Sequence, residues 1–453
     1  GRLSNLTFSN QNLATARVFT TDRLFEPDRN NFAPRLGFAY SPAALHDKFV
    51  LRGGFGISYN RIPNVVLANS RANPPFLVRY GLCCAFSATD RTNLGIVYTT
   101  GSSNSPFSYP ANPLLATGID PATGLPRGRN AEIYGAERSL PNAYVYAYSL
   151  EGQYSLPFFN LVASLGYQGS VAHHLIRTVN LNFIKPPDFS KFFQVFFPLP
   201  DVNSNYNGLN ARVTREFAQG FRIEGIYRFS KSFDEASYEF GAETNETNPR
   251  DLRSEYGPSD FDVRHNLVIS GIWDLPFLRG RRDFIGKAFG GFQLNGILTT
   301  HSGYPWTPKV FNDLNGDGGG PDRPTAYFGG ALDGTSNDSF MQPGGNFPGG
   351  GRAYFNITTP GPPGVGRNSF RGPRYFAVDM SVVKQTGLPG FLHLGEAANL
   401  EMRVNFFNLF NNLNLVPFRF FSPGTFVDND FFFGRSEGGQ AGRVTELQVR
   451  FSF

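Results

Sequence analysis

Apolar residues recur at every second position over stretches of about ten residues, and they do so about eleven times along this chain. That period belongs to a β-strand, whose side chains point alternately to two faces, and it implies that those faces meet different surroundings. In residues 32–41, Phe32, Leu36, Phe38 and Tyr40 stand against Arg35, Gly37, Ala39 and Ser41. In 48–59, Phe49, Leu51, Phe55, Ile57 and Tyr59 oppose Lys48, Arg52, Gly54, Gly56 and Ser58. The further stretches are 143–155, 161–171, 206–217, 221–231, 263–274, 291–301, 374–385, 399–409 and 443–453.

The connections between these strands alternate in length. Short ones cover 42–47, 156–160, 218–220, 275–290 and 386–398; long ones cover 60–142, 172–205, 232–262, 302–373 and 410–442. Successive turns of an up-and-down antiparallel sheet lie at opposite rims, so one rim carries tight turns and the other large loops. The 60–142 connection has room for a further strand pair, for instance 76–82 and 93–99, which leaves the parity unchanged. No apolar run approaches the 18 residues of a membrane helix, and 51 glycines with 33 prolines disfavour long helices, so the chain meets a membrane only as strands. The last stretch puts Leu447, Val449, Phe451 and Phe453 on one face and Glu446, Gln448, Arg450 and Ser452 on the other. An aromatic residue closing a strand suits the lipid-facing girdle of a barrel, whereas a soluble edge strand this apolar is an aggregation hazard. The expected fold is all-β, an antiparallel transmembrane β-barrel in the cell outer membrane with long extracellular loops. The rival is a secreted or surface-attached β-rich binding or structural protein, whose apolar faces would form an internal core.

Charge narrows the partners. Of 41 basic residues only seven are lysines, and the guanidinium suits fixed pairing with carboxylates inside a protein. The basic residues are scattered singly rather than in a stripe, which argues against nucleic acid. No HExxH, P-loop, nucleophile elbow or GxGxxG occurs, so no enzymatic activity is expected.

Five stretches carry a family resemblance. They are Asn31-Phe32-Ala33-Pro34-Arg35-Leu36-Gly37-Phe38-Ala39-Tyr40, Leu51-Arg52-Gly53-Gly54-Phe55-Gly56-Ile57-Ser58-Tyr59, Asp260-Phe261-Asp262-Val263-Arg264-His265-Asn266, Gly366-Arg367-Asn368-Ser369-Phe370-Arg371-Gly372-Pro373 and Glu401-Met402-Arg403-Val404-Asn405-Phe406-Phe407-Asn408-Leu409-Phe410-Asn411. Together they resemble the C-terminal barrel of TonB-dependent outer-membrane receptors, in the branch with an N-terminal carboxypeptidase-regulatory-like domain. The resemblance implies a plugged barrel of about 22 strands, of which residues 1–453 would be roughly half, with plug, TonB box and signal peptide outside this sequence. It implies energy-coupled uptake of a scarce ligand, with outer-membrane lipid, the plug domain, a TonB-type energy-transducing complex and the barrel assembly machinery as partners.

Candidate residues follow from this frame. Arg52, Arg212, Arg222, Glu224, Arg228, Glu401, Arg403 and Arg450 oppose the apolar face and are expected to line the lumen. There they would grip a plug, line a ligand path, or pair with one another across strands. Asp313, Asn315 and Asp317 at first, third and fifth positions before Gly318, with Asp322 beyond, match the start of a Ca2+ loop; the twelfth position is Pro324, so the bidentate glutamate is missing, and an ordinary Asx-turn loop explains the same residues. The adjacent His173 and His174 would face opposite ways on a strand and so could not chelate together. Phe192-Phe193, Phe196-Phe197 and Phe431 to Phe433 read as rim anchors, loop-core packing or ligand contacts. Cys83 and Cys84 are adjacent and form either a strained vicinal disulfide or a reduced pair.

Overall fold

The structure is a computed structural model. It describes residues 3–9, 12–45, 48–71, 73–76, 119–126, 131–156, 160–184, 192–237, 247–278, 281, 283–319, 321–332, 337–342, 344–387, 399–419 and 422–452. The expected vicinal cysteines, most of the extra strand pair in the 60–142 connection, and Phe453 lie outside the described residues.

One antiparallel sheet dominates. Its main path runs in strict chain order through eleven strands: β1 (Arg35–Tyr40), β2 (Phe49–Tyr59), β3 (Tyr144–Leu156), β4 (Leu161–Asn180), β5 (Phe192–Ala218), β6 (Phe221–Asp234), β7 (His265–Asp274), β8 (Phe292–His301), β9 (Tyr375–Gly387), β10 (Asn399–Phe407) and β11 (Val444–Ser452). Two short strands attach off this path: Gly257–Pro258 on β6, and Ala131–Tyr134, which lies parallel to the first residues of β5. Each strand of the path pairs with its predecessor and its successor, and among the described residues β1 and β11 each have a neighbour on one side only. The sheet is therefore open.

The two faces separate as the alternation requires. Directly opposed residues share a face, so a row can be followed from strand to strand. Gly53, Leu150, Tyr167, Leu209 and Phe229 form one such row, and Phe221, Trp273, Leu294, Val382, Val404 and Leu447 another. These rows are not covered by a second layer: Leu165 is 56% exposed, Val449 60% and Leu447 74%. A secreted sandwich would bury this face, and its exposure decides for a lipid-facing wall. Aromatic rings on that face lie across neighbouring glycines; a Cβ on Gly53 would stand 2.3 Å from the Phe38 ring, and one on Gly169 would stand 2.5 Å from the Tyr148 ring.

The buried cores sit instead in the long connections. The first packs the hairpin Leu3–Thr7 with Arg17–Thr21, residues Leu13 and Leu125, and the strand Ala131–Tyr134 against the far ends of β4 and β5, burying Ile133, Leu181, Phe192, Val195 and Phe197. The second gathers Trp306, Val310, Phe347, Phe355, Val427 and Phe433 from the connections after β8 and β10. The 172–205 connection turns out to be mostly sheet, because β4 and β5 continue their pairing as far as Asn180 opposite Phe196. Above the apolar band one side of that hairpin meets the first loop core, so the period-two signal that marks the lower part is lost.

Substituting Gly169 tests the ring-over-glycine packing. Gly169→Val should push Tyr148 aside and cost about 1–3 kcal/mol, seen as a smaller fraction of the compact, heat-sensitive band on unheated gels. Adding Tyr148→Ala should restore that band.

Candidate functional site

All eight arginines and glutamates expected in the lumen fall on one face. Arg52 stands opposite Glu151, Glu151 opposite Gly166, Gly166 opposite Asn210, and Asn210 opposite Arg228. Arg222 opposes Ile272, which opposes Asn295; Asn295 opposes Ser381, Ser381 opposes Asn405, and Glu401 opposes Arg450. Within this face Arg212 pairs with Glu224 at 2.5 Å and Arg403 with Glu401 at 3.1 Å. Arg52 donates to Gln153 at 2.8 Å and Arg228 to Asn210 at 2.8 Å. Gln385 donates to Glu401 at 3.0 Å and Ser381 to Asn405 at 2.7 Å. The ladder thus links strands far apart in sequence. Between its two halves Arg222, Glu224, Asn295, Asp379, Ser381 and Asn405 line a depression of about 410 Å³. The Asn295 side-chain oxygen is buried there without a hydrogen-bond partner, and so, elsewhere on the same face, is Arg403 Nε.

A second cluster, with no role assigned from sequence, fastens the long loops where β6 and β7 meet them. Arg367 donates to the Glu255 carbonyl at 2.7 Å, to Ser237 Oγ at 3.2 Å and to the Asp234 carboxylate. Asn368 donates to Asp260 at 2.6 Å and to the Pro258 carbonyl at 2.8 Å, and Arg371 pairs with Asp262. Asp262 also accepts the Ser232 N–H at 2.7 Å. The stretches 260–266 and 366–373 therefore recognise each other. Gly257 is needed for their close approach, since a Cβ there would stand 2.6 Å from the Arg367 carbonyl oxygen. The 401–411 stretch acts alike at its own strand end: Asn408 donates its N–H to Asp379 at 2.8 Å, and just beyond the stretch Asn414 exchanges two bonds with the Phe376 backbone.

Behind this cluster Arg323 and Glu255 form an ion pair of 2.9 Å with both side chains 1% exposed. Lys309 is buried beside them, and burial holds its pKa well below the usual lysine value. Arg323 itself leaves Nε and Nη1 without partners.

In the Asp313 loop, Asp313 accepts the N–H groups of Gly316 at 2.7 Å, Asp317 at 3.2 Å and Gly318 at 2.9 Å. Asn315 Oδ1 accepts from Asp317 N, and Asp317 Oδ1 from Gly319 N. Asp322 accepts from Leu314 N at 2.6 Å and Asn315 N at 2.8 Å; burial outweighs these two bonds and, with a smaller push from the charges of Asp317 and Asp313, raises its carboxyl to about 6. Among the described residues no three Asp, Glu, His or Cys side chains are arranged as metal ligands.

The two adjacent histidines depart from expectation. The pairing shifts register between Ala172 and Leu175, and His174 takes a positive φ of 56°, so both rings rest near Tyr144, with centroids 5.3 and 5.5 Å away. His173 Nδ1 meets Asn203 Oδ1 at 2.7 Å and His174 Nδ1 meets the Pro200 carbonyl at 3.1 Å. Of the phenylalanine clusters, Phe192, Phe196, Phe197 and Phe433 are loop core, whereas Phe431 and Phe432 are exposed.

An antiparallel sheet with one exposed apolar face, one laddered polar face and all its large loops at one rim defines a membrane-spanning β-barrel wall. Residues 1–448 match the family described as outer membrane beta barrel domain. The chain belongs to that family, and its place is the outer membrane. Among solved structures it is similar to the ferripyoverdine receptor of the outer membrane of Pseudomonas aeruginosa, at 11% identity and TM-score 0.42 over 96% of this chain and 34% of that one. It is also similar to the siderophore receptor PiuA from Acinetobacter baumannii (7%, 0.41, 96% and 36%) and to the FrpB iron transporter from Neisseria meningitidis (8%, 0.40, 96% and 39%). The chain spans little more than a third of the length of these proteins. No curated protein matches it.

Two measurements check the rim. Arg323→Met strands Glu255 and should destabilise the loops by about 3–5 kcal/mol, whereas Arg323→Met with Glu255→Leu should recover most of that; hydrogen exchange of 247–262 and 302–332 reports both. In the folded loop Asp322 keeps its proton up to about pH 6, whereas an unfolded aspartate releases it near 4. The folded state thus holds more protons between those values, and raising the pH through that window should weaken the loop. Asp322→Asn should flatten this dependence, measured in the presence of chelator.

Proposed function

We propose that this chain is the C-terminal barrel wall of an outer-membrane receptor that takes up a scarce ligand, with the long loops as the extracellular recognition surface. The observation that supports it best is the polar face. Arginines and glutamates stand on β2, β3, β5, β6, β10 and β11, with Gln168, Asn295, Asp379 and Ser381 among the residues between them, all on the side opposite the lipid-facing rows, and such a face suits a lumen occupied by a second protein body. The depression around Arg222, with its unpartnered Asn295 oxygen, is where we place the contact of that body, a plug domain encoded upstream. By resemblance, a TonB-type complex drives the plug, and the barrel assembly machinery inserts the wall. Ligand selection falls to the connections 60–142 and 302–373, the second of which is held at the rim by its aromatic core and by Arg367.

In the full-length protein, Arg222→Leu or Arg403→Leu should loosen the plug, read as faster protease release of the plug at unchanged heat-sensitivity of the barrel. Unchanged plug retention in both variants would count against the lumen contact. Loss of ligand accumulation by cells lacking the gene, restored by the intact gene and not by one lacking the plug, tests uptake.

A further inference from the structure

We propose that the Asp313–Gly319 turn is a calcium site, built from the side-chain oxygens of Asp313, Asn315 and Asp317 with main-chain carbonyls and water completing the shell. Oxygen donors stand at first, third and fifth positions, and Gly316 and Gly318 adopt positive φ of 74° and 84°, which turns the chain tightly back on itself. That arrangement alone is also an Asx-turn loop. The separate observation concerns Asp317. It is 7% exposed, and its Oδ2 is buried with no hydrogen-bond donor, although Oδ1 accepts the Gly319 N–H at 2.6 Å. A buried carboxylate oxygen without a donor is costly unless a cation faces it.

The surrounding charge points the same way. Burial raises the Asp317 carboxyl, the Gly319 N–H and the Asn315 side chain pull it back, and the charges of Asp313 and Arg250 then act on it in opposite senses. Arg250 spends its Nε on the Phe183 carbonyl at 2.5 Å. Asp322 lies under the turn, accepting Leu314 N and Asn315 N, and its charge adds to the repulsion. One divalent ion held by Asp313 and Asp317 would relieve that repulsion.

The donor set selects the ion. Asp, Glu, His and Cys side chains alone do not assemble three ligands among the described residues, which disfavours zinc and its relatives. An amide oxygen, carboxylates, carbonyls and water in a flexible loop suit calcium, which takes six to eight oxygens, better than magnesium with its strict octahedron. Binding would also be felt at a distance. Asn315 donates to the Thr247 carbonyl at 2.7 Å, Leu314 is part of the second loop core, and Asp322 precedes the buried Arg323. An ion here would brace the connection after β8 against the one after β6.

The test uses the whole chain in detergent, stripped with chelator and titrated with calcium chloride alone, by calorimetry and by protease cleavage within 302–373. Saturable binding with Kd on the order of 10⁻⁴–10⁻³ M and calcium-dependent protection are expected. Asp317→Asn keeps the acceptor for Gly319 N and should weaken binding by about tenfold or more while the heat-sensitivity of the barrel stays unchanged. Identical cleavage in calcium and chelator, equal protection by magnesium, or calcium binding unaltered in Asp317→Asn would each overturn the site. Plug retention and uptake are read separately, so failure here leaves the barrel reading standing.

Discussion

Hydrocarbon offers no partner to a backbone N–H or C=O, and that single constraint organises this molecule. A strand can cross the bilayer only if both its edges are paired. The register runs without a break from β7 through β11; the β4–β5 shifts fall at 172–177, where the hairpin extends toward the loop core, and the β5–β6 shift falls at the end of β5. With the backbone satisfied inside the sheet, side chains are left to answer to what each face touches. Exposed Leu165, Val449 and Leu447 stand on the apolar side, and Arg212, Glu224 and Arg403 pair on the polar one.

The same constraint moves the conventional core. A wall one sheet thick has no interior, so buried apolar packing collects where the chain is clear of the membrane, around Ile133 and Phe192 at one place and Trp306 and Phe433 at the other. Loops this long would be entropically loose. Here they are held by aromatic packing and by arginines that each satisfy several acceptors, Arg367 being the fullest case.

How much could be read in advance depended on range. The membrane-crossing part of each strand was legible because period two is local and hydrocarbon enforces it. All eight polar-face residues could be assigned to one side from alternation alone. The extension of β4 and β5 was not legible, since Val179, Phe192, Val195 and Phe197 meet a loop core assembled from residues as distant as Leu6. The bulge at His173 and His174 defeated the simple rule that neighbours face apart. The turn at Asp313 was recognisable because its bonds close within six residues. The pairing of Asp262 with Arg371 was not, because the partners lie 109 residues apart and nothing in either stretch names the other.

Strand direction carries one further consequence. With eleven strands alternating up and down along the path, the first and the last point the same way. Rolling the sheet so that these borders touch would create a parallel seam, and a ring of two identical copies turned about the pore axis would contain two of them. Outer-membrane cylinders formed from one bacterial polypeptide count even and run antiparallel throughout. Arithmetic of direction alone therefore asks for an odd number of additional staves between the two borders, a condition that eleven more would meet.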